Sequence, residues 1–312
     1  MKLSIIVPCY NEEKNIELIY DCIHTNFKKI KDYEMIFIND GSKDNTFKVL
    51  KELSENSKEN IKVINFSRNF GKEAAMYAGL EKSIGDYVSI IDADMQQDPK
   101  LVLSMIEFLD NNEDYDSVAA YQEKRKEGKV LTFFKDCFYK IMNKMSDTRF
   151  VQGASDFRTF RRGMVDSILS MKEYFRFSKG IFSWVGYNTY YMPYTVSKRA
   201  NGNSTWSFTK LFKYAIEGIV SFSTAPLRMA TFIGMTSSIL SILYLISVIF
   251  EKIFYGISVS GYATIVVLIL FLGGLQLFSL GILGEYIART YVETKKRPIY
   301  IAKNIIDNKK NK

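Results

Sequence analysis

Short apolar runs alternate with stretches of helical periodicity up to about residue 120. The apolar runs are rich in β-branched residues and cover Leu3 to Val7, Met35 to Ile38, Ile61 to Ile64, Tyr87 to Ile91 and Ser117 to Ala120. Between the first two runs, apolar residues recur at the spacing of one helical face, at Ile16, Ile19, Ile23 and Phe27. This alternation predicts an α/β domain in which helices cover both faces of a mostly parallel sheet.

Polar residues follow each apolar run at the point where the predicted strand ends. They include Asn11 and Glu12, Asn39 and Asp40, Ser67 and Arg68, and Asp92 and Asp94. Ligands of open α/β sheets bind outside the carboxyl ends of the strands. We therefore expect these residues to line a binding site at one edge of the sheet.

The last third of the chain has a different pattern. No charged residue occurs from Met229 to Phe250 or from Ile253 to Gly284. A helix of about 22 residues spans roughly 33 Å, enough to cross a bilayer. The alternative for each segment is a buried helix of a soluble protein, but two adjacent uncharged segments of this length predict a transmembrane hairpin.

Charge around the hairpin predicts its orientation. The outer flanks are basic, with Arg228 before the first span and Lys295, Lys296 and Arg297 after the second, whereas the connecting loop has Lys252 as its only cation. The positive-inside rule then places both termini and the α/β domain in the cytoplasm of a multi-pass protein of the cell membrane. The N-terminal apolar run is only about five residues long and is broken by Pro8, so we expect no secretion signal there.

These patterns divide the chain into four parts. We expect a catalytic-type α/β domain over residues 1–206, an interfacial amphipathic helix over 207–226, two transmembrane helices over 227–285 and a basic cytoplasmic tail over 286–312. The helix over 207–226 has an alternative, because a helix that faces a protein core shows the same periodicity. The end of the tail, Lys303 to Lys312, is rich in Lys and Asn and is expected to be frayed.

Composition narrows the classes of function. The 312 residues carry a net charge of +8 and are 47% hydrophobic, which excludes a disordered chain. The three cysteines, Cys9, Cys22 and Cys137, lack CxxC spacing and indicate reduced thiols. The single histidine, His24, lies in a predicted helix away from the strand ends, which disfavours a covalent hydrolase. Phosphate-binding GxGxxG and GxxxxGK[ST] motifs are absent from the sequence.

The strongest candidate for chemistry directly follows the fourth apolar run. Asp92 and Asp94 are separated by one residue and followed by Gln96. Two carboxylates at a strand exit can turn toward one hard cation, and Mg²⁺ or Mn²⁺ prefers oxygen ligands. A pair of acids at a strand end is also common in solvated turns and helix caps, so this motif alone is weak.

Three further motifs add weight to the motif that contains the acidic pair. Together, VPCYNEE (7–13), NDGSKDNT (39–46), SRNFGKEAA (67–75) and DADMQQDP (92–99) closely resemble glycosyltransferase family 2. The resemblance continues through KRKEG (124–128), GASDFRTFRR (153–162), the Arg199 to Trp206 region and KKRP (295–298), and thus covers nearly the whole chain. With two C-terminal spans, the series is similar to polyprenyl-phosphate glycosyltransferases, namely bactoprenol glucosyltransferases and their dolichyl-phosphate mannose synthase relatives.

The resemblance implies a GT-A-like, Rossmann-type fold and a set of donor-site residues. Pro8, Tyr10 and Glu12 would contact the nucleoside, Asp40 would accept a hydrogen bond from the base, and Lys72 and Asp92 would complete the nucleotide site. Asp92, Asp94 and Gln96 would hold Mg²⁺ or Mn²⁺ and the donor phosphates. Without the resemblance, two of these residues have an alternative interpretation. Asp40 could be an ordinary turn and helix-cap residue, and Lys72 could be an ordinary surface lysine.

The acceptor side follows from charge. A polyprenyl phosphate is a monoester whose second ionisation lies near pH 6, so its oxygen is already largely anionic and needs no strong base. We expect cations to hold this phosphate, and the candidates are Lys124, Arg125, Arg158 and Arg199, with Ser204 beside them. The resemblance implies that Asp156 lies beside the nucleophile, where it would act as base or position the acceptor. Asp156, Arg158 and Asp94 then form the expected catalytic set.

We therefore predict an inverting, metal-dependent hexosyltransferase that moves one sugar to a polyprenyl phosphate and forms a β-linked lipid-phosphate sugar, a step of cell-envelope glycosylation. UDP-glucose and undecaprenyl phosphate are the first choices; GDP-mannose with dolichyl phosphate, and UDP-N-acetylglucosamine, are alternatives. A non-catalytic membrane partner that only binds a nucleotide sugar is a further alternative. A processive synthase is disfavoured because the QxxRW motif is absent from the sequence. We do not expect binding to nucleic acid, and a homo-oligomer is possible.

Overall fold

The computed structural model describes residues 2–28, 30, 32–122, 140, 143, 151–194, 217–255 and 261–309. The strands are β1 (Leu3–Cys9), β2 (Tyr33–Asn39), β3 (Asn60–Phe66), β4 (Tyr87–Ile90), β5 (Ser117–Tyr121), β6 (Ala154–Arg161), β7 (Thr189–Pro193) and β8 (Ala302–Asp307). The helices are α1 (Ile16–Phe27), α2 (Thr46–Asn56), α3 (Lys72–Lys82), α4 (Leu101–Asn111), α5 (Arg162–Ser170), α6 (Ser178–Trp184), α7 (Ala225–Tyr255) and α8 (Tyr262–Thr294).

The strands form one sheet in the order β7-β5-β6-β4-β1-β2-β3-β8. Its centre, β3-β2-β1-β4, is parallel, and the register aligns Leu3 with both Tyr33 and Tyr87. Strand β6 is antiparallel to β4 and β5, and β8 is antiparallel to β3, while the remaining strands run in one direction. The predicted α/β class with a mostly parallel sheet is confirmed.

The sheet buries a different apolar layer on each face. On one face, α1, α2 and α4 contribute the buried side chains of Phe27, Leu50 and Met105. On the other face, α3, α5 and α6 pack through small and branched residues such as Ala75 and Ile168. Side chains alternate between the faces along each strand, so neighbouring residues of β1 belong to opposite layers. Both layers support the carboxyl edge of the central strands.

Helices α7 and α8 contact each other and carry the predicted uncharged segments. Among the described residues, two stretches are long and apolar enough to cross a membrane, Ala225–Phe254 and Thr264–Thr294, with mean hydropathies of 2.1 and 2.5. No residue in the 18-residue apolar window of either stretch is buried by the protein. Exposure of so large an apolar surface is unfavourable in water and is typical of helices that face lipid.

One part of the predicted tail is not frayed. Residues Ala302–Asp307 pair with β3 as an antiparallel edge strand, so the expectation of a frayed end over Lys303 to Lys312 is wrong for this segment. The side chain of Asn308 continues the attachment, because it accepts a hydrogen bond from the Ile61 amide and donates to the Glu59 carbonyl. Polar residues are compatible with an edge strand, since one of its sides faces solvent.

The helix predicted over 207–226 is described only from residue 217, and residues 217–222 are helical. Phe222, one of its apolar residues, packs against Phe177, with ring centroids 5.9 Å apart. A Cβ on Gly180 would lie 2.4 Å from the Phe222 ring, so α6 approaches this helix closely. The described end of the helix therefore contacts the α/β domain, and the interfacial position of the whole segment stays a prediction.

Candidate active site

The loops that follow β1 and β2 are joined by side-chain hydrogen bonds. Asn11, at a φ of 55°, donates its amide to Ser42 Oγ and accepts from the Lys43 amide, both at 2.9 Å. The Glu12 amide donates to Thr46 Oγ1 at 2.9 Å. These bonds hold the carboxyl ends of two adjacent strands together and give the predicted nucleoside loop a defined shape.

The predicted nucleoside residues occupy this loop in different ways. Pro8 is half-buried within β1, whereas Tyr10 is 41% exposed beyond its end. The Glu12 carboxylate accepts a hydrogen bond from Asn15 Nδ2 at 2.6 Å, just before α1 begins. Tyr10 is thus the member of the set with most surface available to a ligand.

Asp40 holds the loop that leads into α3. Its buried carboxylate accepts hydrogen bonds from the Phe70 amide at 2.6 Å and the Gly71 amide at 2.9 Å. Burial raises the pKa of Asp40 to about 6, although these two bonds and Arg68 act in the opposite direction. Each carboxylate oxygen keeps a second lone pair, so this bracing role does not remove its capacity to accept from a ligand.

Gly41 explains why glycine follows Asp40. Its φ is +61°, and a Cβ at this position would lie 2.3 Å from the carbonyl carbon of Arg68. A side chain would therefore collide with backbone, which cannot move as a flexible side chain can. The Asp-Gly pair allows the 68–71 loop to pass directly over the end of β2.

Three residues from distant parts of the chain meet at the carboxyl edge of β4. Lys72 Nζ, at the first residue of α3, lies 2.6 Å from Asp92 Oδ1 and 3.1 Å from Asp156 Oδ2. Asp92 follows β4, and Asp156 lies on the antiparallel neighbour β6. We call Asp92, Asp94 and Asp156 the acidic centre. The structure thus brings together two of the predicted nucleotide-site residues, Lys72 and Asp92, and one predicted catalytic residue, Asp156.

Neighbouring charges decide the ionisation of Lys72 and Asp156. Burial alone would raise the pKa of Asp156, but Lys72, Lys179 and Arg158 outweigh it and hold that pKa well below its ordinary value. Loss of water around its ammonium group would by itself lower the pKa of Lys72, yet the charges of Asp92 and Asp156 raise it above the ordinary lysine value. Lys72 is a charged ammonium and Asp156 a carboxylate throughout the physiological range.

The turn after β4 positions Asp92 through a residue that the sequence did not single out. The Asp92 amide donates to Gln97 Oε1, and Gln97 Nε2 donates to Asp92 Oδ2, both at 2.9 Å. Asp94 Oδ1 accepts from the amide of Gln96 at 3.1 Å, and Met95 between them has a φ of 61°. Gln97 is buried and directly follows Gln96. Its position next to the predicted metal-binding triplet is the sequence signal that points to its role.

The donor set is compatible with the expected divalent ion. Asp92 and Asp94 provide carboxylate oxygens, the donor type that Mg²⁺ and Mn²⁺ prefer, and these ions retain waters and substrate phosphates as further ligands. Over the residues that the structure describes, no group of three or more His, Cys, Asp or Glu is close enough to enclose an ion. Asp92 and Asp94 could provide one or two carboxylate ligands to an ion whose other ligands are water and substrate phosphate.

Arg158 lies inside the domain rather than at the open surface. It is only 4% exposed, its guanidinium carbon is 4.3 Å from the centroid of the Phe182 ring, and Nη2 donates to the Ser155 carbonyl at 2.9 Å. Its Nε atom is buried without a hydrogen-bond partner. Burial lowers the pKa of Arg158, while Asp156 opposes this shift. The geometry indicates that Arg158 supports the charge of Asp156 from the interior.

Glu73 is a second residue that the sequence reasoning missed. Its Oε2 accepts hydrogen bonds from the amide of Ser178 at 3.0 Å and from the Ser178 hydroxyl. Burial and the charge of Asp156 raise the pKa of Glu73 to about 7, although Ser178 and Lys72 favour the charged form. This contact joins the start of α3 to the start of α6. Its position beside Lys72 in the motif was the only sequence signal.

A cavity of about 260 Å³ opens beside the start of α3. Its wall includes Lys72, Glu73 and Arg176 on the α/β domain and Arg289 on α8. Arg289 Nη1 donates to Ser221 Oγ at 2.6 Å. The cavity thus borders both Lys72 and the membrane-length helix α8.

The predicted acceptor-phosphate residues cannot be compared with this geometry. Lys124, Arg125, Arg199 and Ser204 lie outside the described residues. Their roles remain predictions from the sequence.

The sequence matches two family models. Residues 4–169 match glycosyl transferase family 2, and residues 225–290 match the GtrB C-terminal hairpin. Among solved structures, the fold is similar to that of glucosyl-3-phosphoglycerate synthase from Mycobacterium tuberculosis, in complex with Mn²⁺, UDP and glucosyl-3-phosphoglycerate. The two sequences are 17% identical, the TM-score is 0.48, and the match covers 70% of this chain and 77% of that chain.

Full-length relatives agree with the family models. The putative glycosyltransferase CsbB of Bacillus subtilis is 44% identical over 302 residues, which cover 96% of this chain and 91% of that protein. The prophage bactoprenol glucosyl transferase homolog of Escherichia coli is 40% identical over 307 residues, which cover 98% and 99%, respectively. The chain therefore belongs to glycosyl transferase family 2, with the GT-A-like fold that its motifs predict and a GtrB-type C-terminal hairpin.

Proposed function

We propose that this glycosyltransferase moves one sugar from a nucleotide sugar to a membrane polyprenyl phosphate. The observation that carries the proposal is a cavity bordered both by Lys72, which contacts the acidic centre, and by Arg289 of α8. A lipid acceptor whose chain stays in the bilayer must meet the donor near the end of such a helix. The relative named bactoprenol glucosyl transferase homolog supports the same acceptor class.

UDP-glucose is the donor that we propose first, and undecaprenyl phosphate is the acceptor that we propose first. GDP-mannose with dolichyl phosphate and UDP-N-acetylglucosamine are the alternatives. In-line attack of a phosphate oxygen on the anomeric carbon forms the new C–O bond while the bond to the nucleoside diphosphate breaks. One displacement inverts an α-linked donor to a β-linked lipid-phosphate sugar.

On the donor side, we assign the nucleoside to Pro8, Tyr10 and Glu12, with Asp40 accepting from the base. Asp92, Asp94 and Gln96 would hold Mg²⁺ or Mn²⁺. When bound, this ion supplies charge neutralisation for the diphosphate leaving group. The Gln97 hydrogen bonds keep Asp92 in a fixed orientation for this role.

On the acceptor side, the residues must orient an anion rather than remove a proton. Lys124, Arg125, Arg199 and Ser204 are the proposed phosphate ligands. Lys72 keeps Asp156 ionised, and Arg158 adds a second positive charge from the interior. We assign to Asp156 the role of positioning the acceptor or an adjacent cation. Preorganised charges of this kind stabilise the transition state more than the ground state.

We place the protein in the cell membrane, with residues 1–206 and both termini in the cytoplasm. We propose the domain bounds expected from the sequence, with the interfacial helix over 207–226 and two spans over 227–285. The basic segment over 286–312 includes the end of α8 and strand β8 of the sheet. The pairing of β8 with β3 supports the same side for the catalytic domain and the tail. This arrangement gives cytoplasmic nucleotide sugars direct access to the acidic centre.

The test uses the purified full chain with Mn²⁺, undecaprenyl phosphate and radiolabelled UDP-glucose, UDP-N-acetylglucosamine or GDP-mannose. We expect one donor to yield a labelled lipid, and Asp94→Asn to reduce its formation by roughly a hundredfold or more. Asp98→Asn, an exposed acid four residues away, is the matched control and should retain activity. Absence of a labelled lipid with every donor, or full activity of Asp94→Asn, would contradict the proposal.

A further inference from the structure

We propose that Lys72 is the resident cation of the acidic centre and that a divalent ion can bind Asp92 only when Lys72 releases it. The inference rests on the proposed function in taking a nucleoside diphosphate as the ligand that accepts the released lysine. Lys72 Nζ lies 2.6 Å from Asp92 Oδ1, within the distance of a direct ion pair. Loading of the metal and of the diphosphate is therefore coupled through one side chain.

Both oxygens of Asp92 already have a partner in this structure. Gln97 Nε2 donates to Oδ2 at 2.9 Å, and Lys72 takes Oδ1. The Gln97 contact is made by a buried side chain that is itself held by the Asp92 amide, so it is the more rigid of the two. Lys72 has a side chain that is 44% exposed, so it is the partner free to move away.

Charge makes the two occupants of Asp92 compete. An ammonium beside a carboxylate neutralises the attraction that the carboxylate offers to a second cation, and it repels that cation directly. The repulsion between Lys72 and a divalent ion on Asp92 would be relieved if the ammonium moved toward the diphosphate. Asp156, 3.1 Å from Nζ, provides a second anchor from which the lysine can turn.

Two consequences follow for ligand binding. The metal alone should bind weakly, because it must displace Lys72 without compensation. The metal together with a nucleoside diphosphate should bind tightly, because the diphosphate oxygens replace Asp92 as the partner of Lys72. Lys72 would thus prevent the centre from holding a divalent ion in the absence of donor.

The experiment measures binding of Mn²⁺ alone to the full chain in detergent, by the loss of the free Mn²⁺ resonance in electron paramagnetic resonance. We expect Lys72→Met to bind Mn²⁺ about tenfold more tightly than the wild type, because one positive charge has been removed. Lys72→Arg retains the charge and should show no such gain. Lys82→Met, at the other end of α3, is the control for loss of a lysine elsewhere on the helix and should match the wild type.

Two further measurements locate the effect. Asp94→Asn in the Lys72→Met background should abolish the gained binding, which would place it at the acidic centre. Added UDP or GDP should increase Mn²⁺ affinity in the wild type by a larger factor than in Lys72→Met. Unchanged or weaker Mn²⁺ binding by Lys72→Met, or an equal gain in Lys72→Arg, would overturn the inference.

The first measurement contains neither sugar donor nor lipid. A chain that fails to glycosylate polyprenyl phosphate but still shows the charge-dependent gain would contradict the proposed function and leave the role of Lys72 intact. Thermal denaturation of each variant confirms that the proteins compared are folded.

Discussion

At the scale of single residues, the active site depends on contacts between segments that are distant in sequence. Asp40 accepts hydrogen bonds from the Phe70 and Gly71 amides through its two carboxylate oxygens. This role differs from both roles expected from the sequence, a local turn residue and a ligand of the base. Glu73 likewise holds Ser178 at the start of α6. The hydrogen bonds that brace α3 therefore come from acids, one of them immediately beside Lys72.

Glu73 should make stability depend on pH near neutrality. Burial raises its pKa from 4.5 to about 7, so the folded protein binds a proton that the unfolded chain has released. Its stabilising contribution is thus complete below about pH 4.5 and is lost as the pH rises through about 7. Glu73→Gln, which stays neutral, should gain thermal stability relative to the wild type between pH 5.5 and pH 8.

The measurement is the thermal midpoint of the purified protein across this pH series. Glu107→Gln, at an exposed position of α4, controls for the loss of an acidic side chain and should follow the wild type at each pH. Parallel pH profiles for Glu73→Gln and the wild type would show that Glu73 does not titrate in this range.

At the scale of elements, the least expected feature is the edge strand β8. It returns from the hairpin to the α/β domain and pairs with β3. Before it, Tyr300 stacks on Phe66 at 4.9 Å between ring centroids and donates a hydrogen bond to Glu81 at 2.6 Å. The segment after α8 therefore belongs to the sheet, and a truncation that begins at the hairpin would also remove an edge strand.

Asn308 should contribute measurably to the attachment of β8. Its side chain bonds the Ile61 amide at 3.1 Å and the carbonyls of Glu59 and Ser54 at 2.7 and 3.3 Å. We expect Asn308→Ala to lower the free energy of unfolding by about 1 to 2 kcal/mol, since these backbone groups lose their partner. Chemical denaturation would measure this, with the exposed Asn304→Ala as the matched control. Equal stabilities of the two variants would contradict the assigned role of Asn308.

At the scale of the whole molecule, the hairpin is held by the catalytic domain at both ends. Before α7, Phe222 packs against Phe177 of the domain, with ring centroids 5.9 Å apart, and near the end of α8 Glu293 accepts a hydrogen bond from the Tyr174 amide at 2.8 Å. Two such attachments restrict how far the domain can rotate relative to the two helices. This restriction suits an enzyme whose acceptor enters from the bilayer.

The proposed topology predicts which positions a membrane-impermeant maleimide can reach. In a background with Cys9, Cys22 and Cys137 replaced by alanine, Ser258→Cys between the two helices should be labelled in intact cells. Lys48→Cys, on the exposed face of α2, should be labelled only after lysis. Labelling of Lys48→Cys in intact cells would reverse the orientation that the flanking charges predict.

The sequence by itself determined the class of fold, the two membrane-length helices and the family, because each is encoded in local periodicity or in short contiguous motifs. It also predicted that Asp92 and Asp94 end a strand at the binding edge. Only the tertiary structure decided that Lys72 lies between Asp92 and Asp156, that Gln97 orients Asp92 and that β8 completes the sheet. These features depend on which strands become neighbours and in which direction they run, and hydrophobic periodicity carries no information about such long-range pairing.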